Sequence, residues 1–248
     1  MNRPRLVTIA VSHYCEKARW ALDRSGVAYE EEDHVPVLHL AHLRGRTTPI
    51  LHLDDRVLGD STDILAALEE RTPESLRLQP RDASQRDEAL ALEHRLDEEL
   101  GPLVRRVAYF HLVNARPAFD AIVAARGRSW QRSVARSAPG VIAATLRRAF
   151  KLEAASIARA EGRLFALLDD VSARIPQGRW LVGDRFSIAD LTLAALLAPM
   201  VSPPEHPIAY PRAEDVSGPF VALRDRVAAT PAGALALRAY REERGRRA

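Results

Sequence analysis

The first 33 residues constrain the fold more than any other part of the chain. Residues 5–11 are a short aliphatic and β-branched run, and residues 15–25 carry Ala18, Ala21 and Leu22 at helical spacing, with Gly26 placed as a C-cap. Residues 27–33 then read as a second strand. A strand-helix-strand unit of this length demands a crossover, so the two strands should lie parallel in one sheet.

After an irregular, histidine-bearing stretch over residues 34–46, residues 50–53 and 56–58 are apolar runs separated by Asp54 and Asp55, the length of a tight hairpin turn. Gly59, Asp60 and Ser61 precede Ile64, Leu65 and Leu68 at helical spacing, which makes Ser61 the expected N-cap of a helix running to about Arg71. Residues 72–81 hold two prolines among polar residues and have the composition of a linker. The expected division is a first domain over 1–76, a linker over 77–85 and a second domain over 86–248. In the second, Ala89, Leu92, Leu96, Leu100, Leu103 and Val107 keep a helical stripe that Pro102 should kink near Glu98, because proline lacks the backbone donor. Ile157, Ala160, Leu164, Leu167 and Val171 make another stripe, and Ser187 with Asp190 forms a capping box flanked by Phe186 and Leu191. No comparable strand pattern follows residue 85, so the second half should be a helical bundle.

Charge and cysteine content exclude several classes. The 36 basic and 33 acidic residues leave a formal charge of +3, which makes no polyanion-binding surface, so nucleic acid is not an expected partner. A single cysteine, Cys15, rules out a disulfide framework within the chain and points to a reducing compartment. Residues 6–11 are too short for a signal peptide, and the apolar stretch 191–201 falls short of the ~18 residues that span a bilayer. A soluble, cytoplasmic protein without a membrane partner is the expectation.

Three groups of residues could carry chemistry. Ser12, His13, Tyr14 and Cys15 lie where the first strand gives way to the first helix, a junction at which backbone amides and the helix dipole stabilise an anion or a thiolate. Ser12 could equally be no more than a helix cap. Thr48 and Pro49 precede a strand, and a cis bond there would turn the Thr48 backbone outward as a template for an extended peptide. Asp60 and Ser61 combine a carboxylate acceptor for an ammonium group with a helix N-terminus for a carboxylate, which suits the head of an α-amino acid.

The tetrad followed by residues 16–22, then Thr48, Pro49, Ile50 and Leu51, then Asp60 and Ser61 with a helix, and finally residues 186–190 together resemble the glutathione S-transferase family. Residues 5–100 and 152–200 carry the likeness, residues 230–233 look familiar for the family's last helices, and residues 101–150 match nothing specific. The resemblance implies an α/β thioredoxin-like N-terminal domain, β-α-β-α-β-β-α, followed by an all-α helical bundle, usually in a homodimer. It implies glutathione as co-substrate and a small electrophile as second substrate. Ser12 would be the catalytic hydroxyl, Thr48 ahead of a cis Pro49 would pair with the cysteinyl unit, and Asp60 with Ser61 would hold the γ-glutamyl head. For the glycyl carboxylate, His34, His39 and Arg46 are candidates. His13 stands where many thiol-exchanging relatives have proline, and serine, not cysteine, comes first in the tetrad.

Competing readings accompany each signal. Cys15 could serve thiol-disulfide exchange or be a buried small hydrophobe, and the fold could be kept by a noncatalytic binding protein. His39 and His42 could share a helix face, but no third ligand at a recognised spacing accompanies them, so no metal is expected. Arg128, Arg132 and Arg136 read as a solvated face or a wall of the second-substrate pocket, and Tyr109, Phe110 and Trp130 as pocket or core. The run 241–247 reads as a frayed, solvated tail.

Overall fold

The computed structural model describes residues 3–45, 47–175 and 179–246. Its first part is a four-stranded mixed sheet in the order β2-β1-β3-β4, built from β1 (Arg5–Thr8), β2 (Glu30–Asp33), β3 (Ile50–Leu53) and β4 (Arg56–Leu58). β1 and β2 are parallel, with Arg5 opposite Glu30, while β3 pairs antiparallel with both β1 and β4. β2 is shorter than its apolar approach suggests and consists of four acidic residues. It lies at the sheet edge, where charge discourages further strand pairing, and its glutamates meet Arg5 and Arg19, each at 2.7 Å.

Helix α1 (His13–Ser25) starts at Ser12, whose side chain caps it, and stops at Gly26, whose φ of 69° is the left-handed conformation that glycine adopts without a Cβ penalty. The histidine-bearing segment contains a five-residue helix, α2 (Leu38–His42), entered through Val37 at φ 71°. Helix α3 (Ser61–Glu69) is capped by Asp60, which accepts the Thr62 N–H at 2.7 Å. Ser61, the expected cap, is instead the first helical residue and is buried. Two adjacent residues able to cap compete here, and the charged one with the extended backbone takes the position.

Helix α4 (Ala83–Arg95) runs into a π turn over Leu96–Leu100 and on into α5 (Gly101–Asn114). The widened turn falls where Pro102 deprives the helix of a donor. The stretch that matched no pattern folds as α6 (Arg116–Ala125), α7 (Ser129–Ser137) and α8 (Pro139–Phe150), and α9 (Ala154–Ser172) follows. Helix α10 (Ile188–Val201), started by the capping box, is apolar apart from Asp190 and Thr192 and is buried from Ile188 to Ala198. It is the axis of the helical part and packs against both α1 and α12 (Pro231–Glu243), with α11 (Gly218–Ala228) between α10 and α12 in sequence. Among the described residues no strand follows β4, and no helix is long and apolar enough to cross a membrane.

The chain end departs from expectation. Glu243 and Arg244 are buried, and Arg244 donates to Glu16 at 2.6 Å and to Asp23 at 2.8 Å while Glu243 accepts from Arg24 at 2.9 Å. The run is pinned to α1, because carboxylates far away in sequence supply its counter-charges; Arg247 lies outside the described residues. Among the described residues the exposed large apolar side chains are Leu40, Val57, Trp130, Val134 and Val141, none of them on α3 or α4.

Candidate active site

A cleft of about 440 Å³ lies between the sheet domain and the helical domain, with Ser12 and Thr48 on one side and α5, α8 and α11 on the other. Ser12 lines the cleft and is half-buried. Its Oγ accepts the Cys15 N–H at 3.4 Å, and its own O–H can turn either toward the Cys15 sulfur behind it or into the cleft. Cys15 is wholly buried; its sulfur accepts the Ile9 N–H at 3.4 Å, and burial outweighs its neighbours and pushes the thiol pKa up. The sulfur is therefore a weak acceptor at rest, and a thiolate arriving in the cleft would outcompete it for the hydroxyl.

The other tetrad residues are fixed by the helical domain. His13 is buried against the backbone of Gly101, and burial, with Arg105 nearby, lowers its pKa to about 3, so the ring is neutral. The Tyr14 hydroxyl donates to the Asp97 carbonyl at 2.8 Å, and burial raises its pKa to about 12. Behind Tyr14, the buried Lys17 ammonium bonds Glu93, Asp97 and Thr62, tying α1, α3 and α4 together just inside the α3 N-terminus.

The expected binding residues separate into two places. The Thr48-Pro49 bond is cis and Thr48 lines the cleft. Asp60 is exposed and Ser61 buried at the start of α3; neither lines the cleft itself, yet Asp60 is close enough to raise the Tyr14 pKa. Of the three candidates for the glycyl carboxylate, His39 lines the cleft, with burial lowering its pKa to about 4. His34 is buried in another role, and Arg46 lies outside the described residues.

That other role also involves His42. Potential ligand atoms of Glu32, His34 and His42 lie within 4.8 Å of one another. Gln131 fixes the tautomer: its Oε1 accepts the Val35 N–H at 3.1 Å, so its amide donates to His34 Nδ1 at 2.9 Å and the imidazole proton sits on Nε2, donating to Glu32 at 3.1 Å. Arg5 and Arg128 pair with the same carboxylate. The cluster is thus built as an ion-pair and hydrogen-bond clasp holding β2 to α7, which also gives Arg128 a structural partner.

The helical wall is the part that sequence reasoning reached least. Tyr109 lines the cleft and stacks on Phe150 with centroids 5.3 Å apart, whereas Trp130 is exposed and neither it nor Phe110 lines the cleft. Arg105, Phe150, Tyr210, Phe220 and Arg224 complete the wall. They come from four segments, and no local pattern marked them.

A thioredoxin-like sheet domain joined to a helical domain, with a helix N-terminus opening into the cleft between them, defines the class of protein. Residues 6–76 match the family model of the glutathione S-transferase N-terminal domain, and residues 154–229 match that of the C-terminal domain. Together the matches cover more than half of the chain, which belongs to the glutathione S-transferase family. No curated protein sequence matches it. Among solved structures, a possible glutathione S-transferase from Rhodopseudomonas palustris is similar at 18% identity and TM-score 0.59, covering 98% of this chain and 96% of that one. The β-etherase LigF from Sphingobium sp. strain SYK-6 is similar at 19% identity and TM-score 0.60, covering 96% and 99%. The theta class glutathione S-transferase from Xanthomonas axonopodis pv. citri, solved with glutathione bound, is similar at 18% identity and TM-score 0.55, covering 96% and 98%.

Proposed function

We propose that the protein is a cytoplasmic, homodimeric glutathione transferase that joins the glutathione thiolate to a small electrophile. In this reading the Thr48 backbone beside Pro49 pairs with the cysteinyl unit, and Asp60 with Ser61 holds the γ-glutamyl head. The relative solved with glutathione supports the choice of thiol. The observation that carries the reading is Ser12 lining the cleft and capping α1, with the chain's single cysteine buried behind it.

The Ser12 O–H donates to the thiolate sulfur, and the dipole of α1 adds to it. Together they would lower the bound thiol's pKa by ~2 units, about 2.7 kcal/mol in favour of the thiolate. The sulfur attacks the electrophilic carbon, and holding both reactants in one cleft removes much of the entropic barrier. Ser12 is a donor throughout and forms no covalent bond.

Exchange chemistry through Cys15 has less support, because that thiol is inaccessible and its pKa is raised. An open cleft above Ser12 likewise favours an enzyme over a noncatalytic relative. Calorimetry with glutathione, together with a conjugation assay on 1-chloro-2,4-dinitrobenzene, tests the proposal. Saturable binding and turnover are expected; absence of glutathione binding would end it.

A further inference from the structure

The cleft's charges are unbalanced. Among the described residues its walls hold Arg105 and Arg224 but no aspartate or glutamate, and its histidines His13 and His39 are held neutral by burial. Any charge the walls present to a ligand is therefore positive.

Arg105 is the less satisfied of the two cations. It projects from α5 one turn before Tyr109, its guanidinium lies 4.8 Å from the Phe150 ring centroid, and its buried Nε has no hydrogen-bond partner. No carboxylate among the described residues forms an ion pair with it. Arg105 is half-buried, whereas the fully buried arginines all have carboxylate partners: Arg19 meets Glu31, Arg24 meets Glu243, and Arg244 meets Glu16 and Asp23. Arg224 donates to the Pro211 carbonyl at 3.3 Å. A guanidinium without a carboxylate partner, in a cleft lined mainly by apolar side chains, is open to an anionic ligand, and its planar fork fits a carboxylate bidentately. Beside it Tyr109 and Phe150 stack on one another, and both line the cleft as aromatic neighbours of the guanidinium.

We propose that the second substrate is an aromatic electrophile bearing a carboxylate, its ring against Tyr109 and Phe150 and its carboxylate on Arg105. This deepens the transferase reading and rests on it. With 4-chloro-3,5-dinitrobenzoate as probe, the thiolate sulfur forms a bond to the chlorine-bearing carbon, the ring and its nitro groups take up the electron pair, and chloride leaves with it. The thiol proton has already gone to solvent.

The test compares this acid with its methyl ester, each rate divided by the uncatalysed rate with glutathione. The protein should favour the acid by about 10 to 100 fold in kcat/KM, the worth of a charge-assisted pair. Arg105→Gln should erase most of that advantage, and Arg105→Lys, which keeps charge but loses the fork, should retain part of it. Calorimetry with unreactive 3,5-dinitrobenzoate and its methyl ester reads the same preference without turnover, so a failure of catalysis does not hide it. An ester bound and turned over as well as the acid would overturn the inference and leave the transferase reading standing. So would an Arg105→Gln variant that keeps the acid's advantage and loses affinity for glutathione instead, because Arg105 would then serve the tripeptide.

Discussion

Tyr14 rests on Gly101 so closely that a Cβ built on the glycine would fall 2.0 Å from the Tyr14 hydroxyl oxygen. The tetrad's third side chain is seated by the one residue that leaves it room, at the point where the π turn passes into α5. Gly101→Ala should cost about 1–3 kcal/mol in urea denaturation through overpacking. In a Tyr14→Ala background the same change should cost much less, and equal costs in the two backgrounds would refute the contact's importance.

The chain end should be a structural clamp. Arg244→Met leaves Glu16 buried without its closest counter-charge, which should destabilise the protein by about 3–5 kcal/mol. Adding Glu16→Gln should recover part of that loss. A cost below about 1 kcal/mol in equilibrium unfolding would return the tail to the solvated state that its sequence suggested.

These two contacts mark where the sequence stopped being legible. The β1-α1-β2 unit, the Gly26 stop and the Ser187-Asp190 box depend on residues a few positions apart, and local chemistry dictates them. Ser12 and Thr48 were visible for the same reason, each lying at an element boundary. Arg244 finds Glu16 across most of the chain, and the cleft wall gathers Arg105, Phe150 and Phe220 from separate helices, so neither leaves a periodic trace. The choice of Asp60 over Ser61 as cap of α3 was ambiguous because both residue types can fill the position.

Asp33 gives a pH signature. Burial, with Glu31 nearby, raises its carboxyl pKa to about 6 from an ordinary 3.8 despite the opposing pull of Arg19. The folded state therefore binds the proton more tightly than the unfolded chain. The stabilisation is fully present below about pH 4 and is lost as pH rises through 6. Asp33→Asn should be more stable than the parent at pH 8 by about 1–3 kcal/mol, with the difference vanishing toward pH 4. Urea titrations that show a constant difference across this window would contradict the assignment.

Asp60 can be tested without unmaking its helix. Asp60→Asn keeps an acceptor for the Thr62 N–H and removes the charge proposed to meet the γ-glutamyl ammonium. Glutathione affinity should fall by about 1.5–3 kcal/mol in calorimetry while stability changes little. Unchanged affinity would remove Asp60 from the binding site.

The central claim is that the Ser12 hydroxyl stabilises the thiolate, and the direct measurement is a pH titration of the bound glutathione thiol, followed by its ultraviolet thiolate absorbance, in the parent and in Ser12→Ala. The parent should hold the thiol pKa ~2 units below its free value. Ser12→Ala should return it most of the way and slow conjugation by roughly 10 to 1000 fold with glutathione affinity nearly intact, because the bond is strongest to the charged form. An unshifted titration in Ser12→Ala, with conjugation as fast as the parent's and activity abolished instead by Cys15→Ser, would contradict the account.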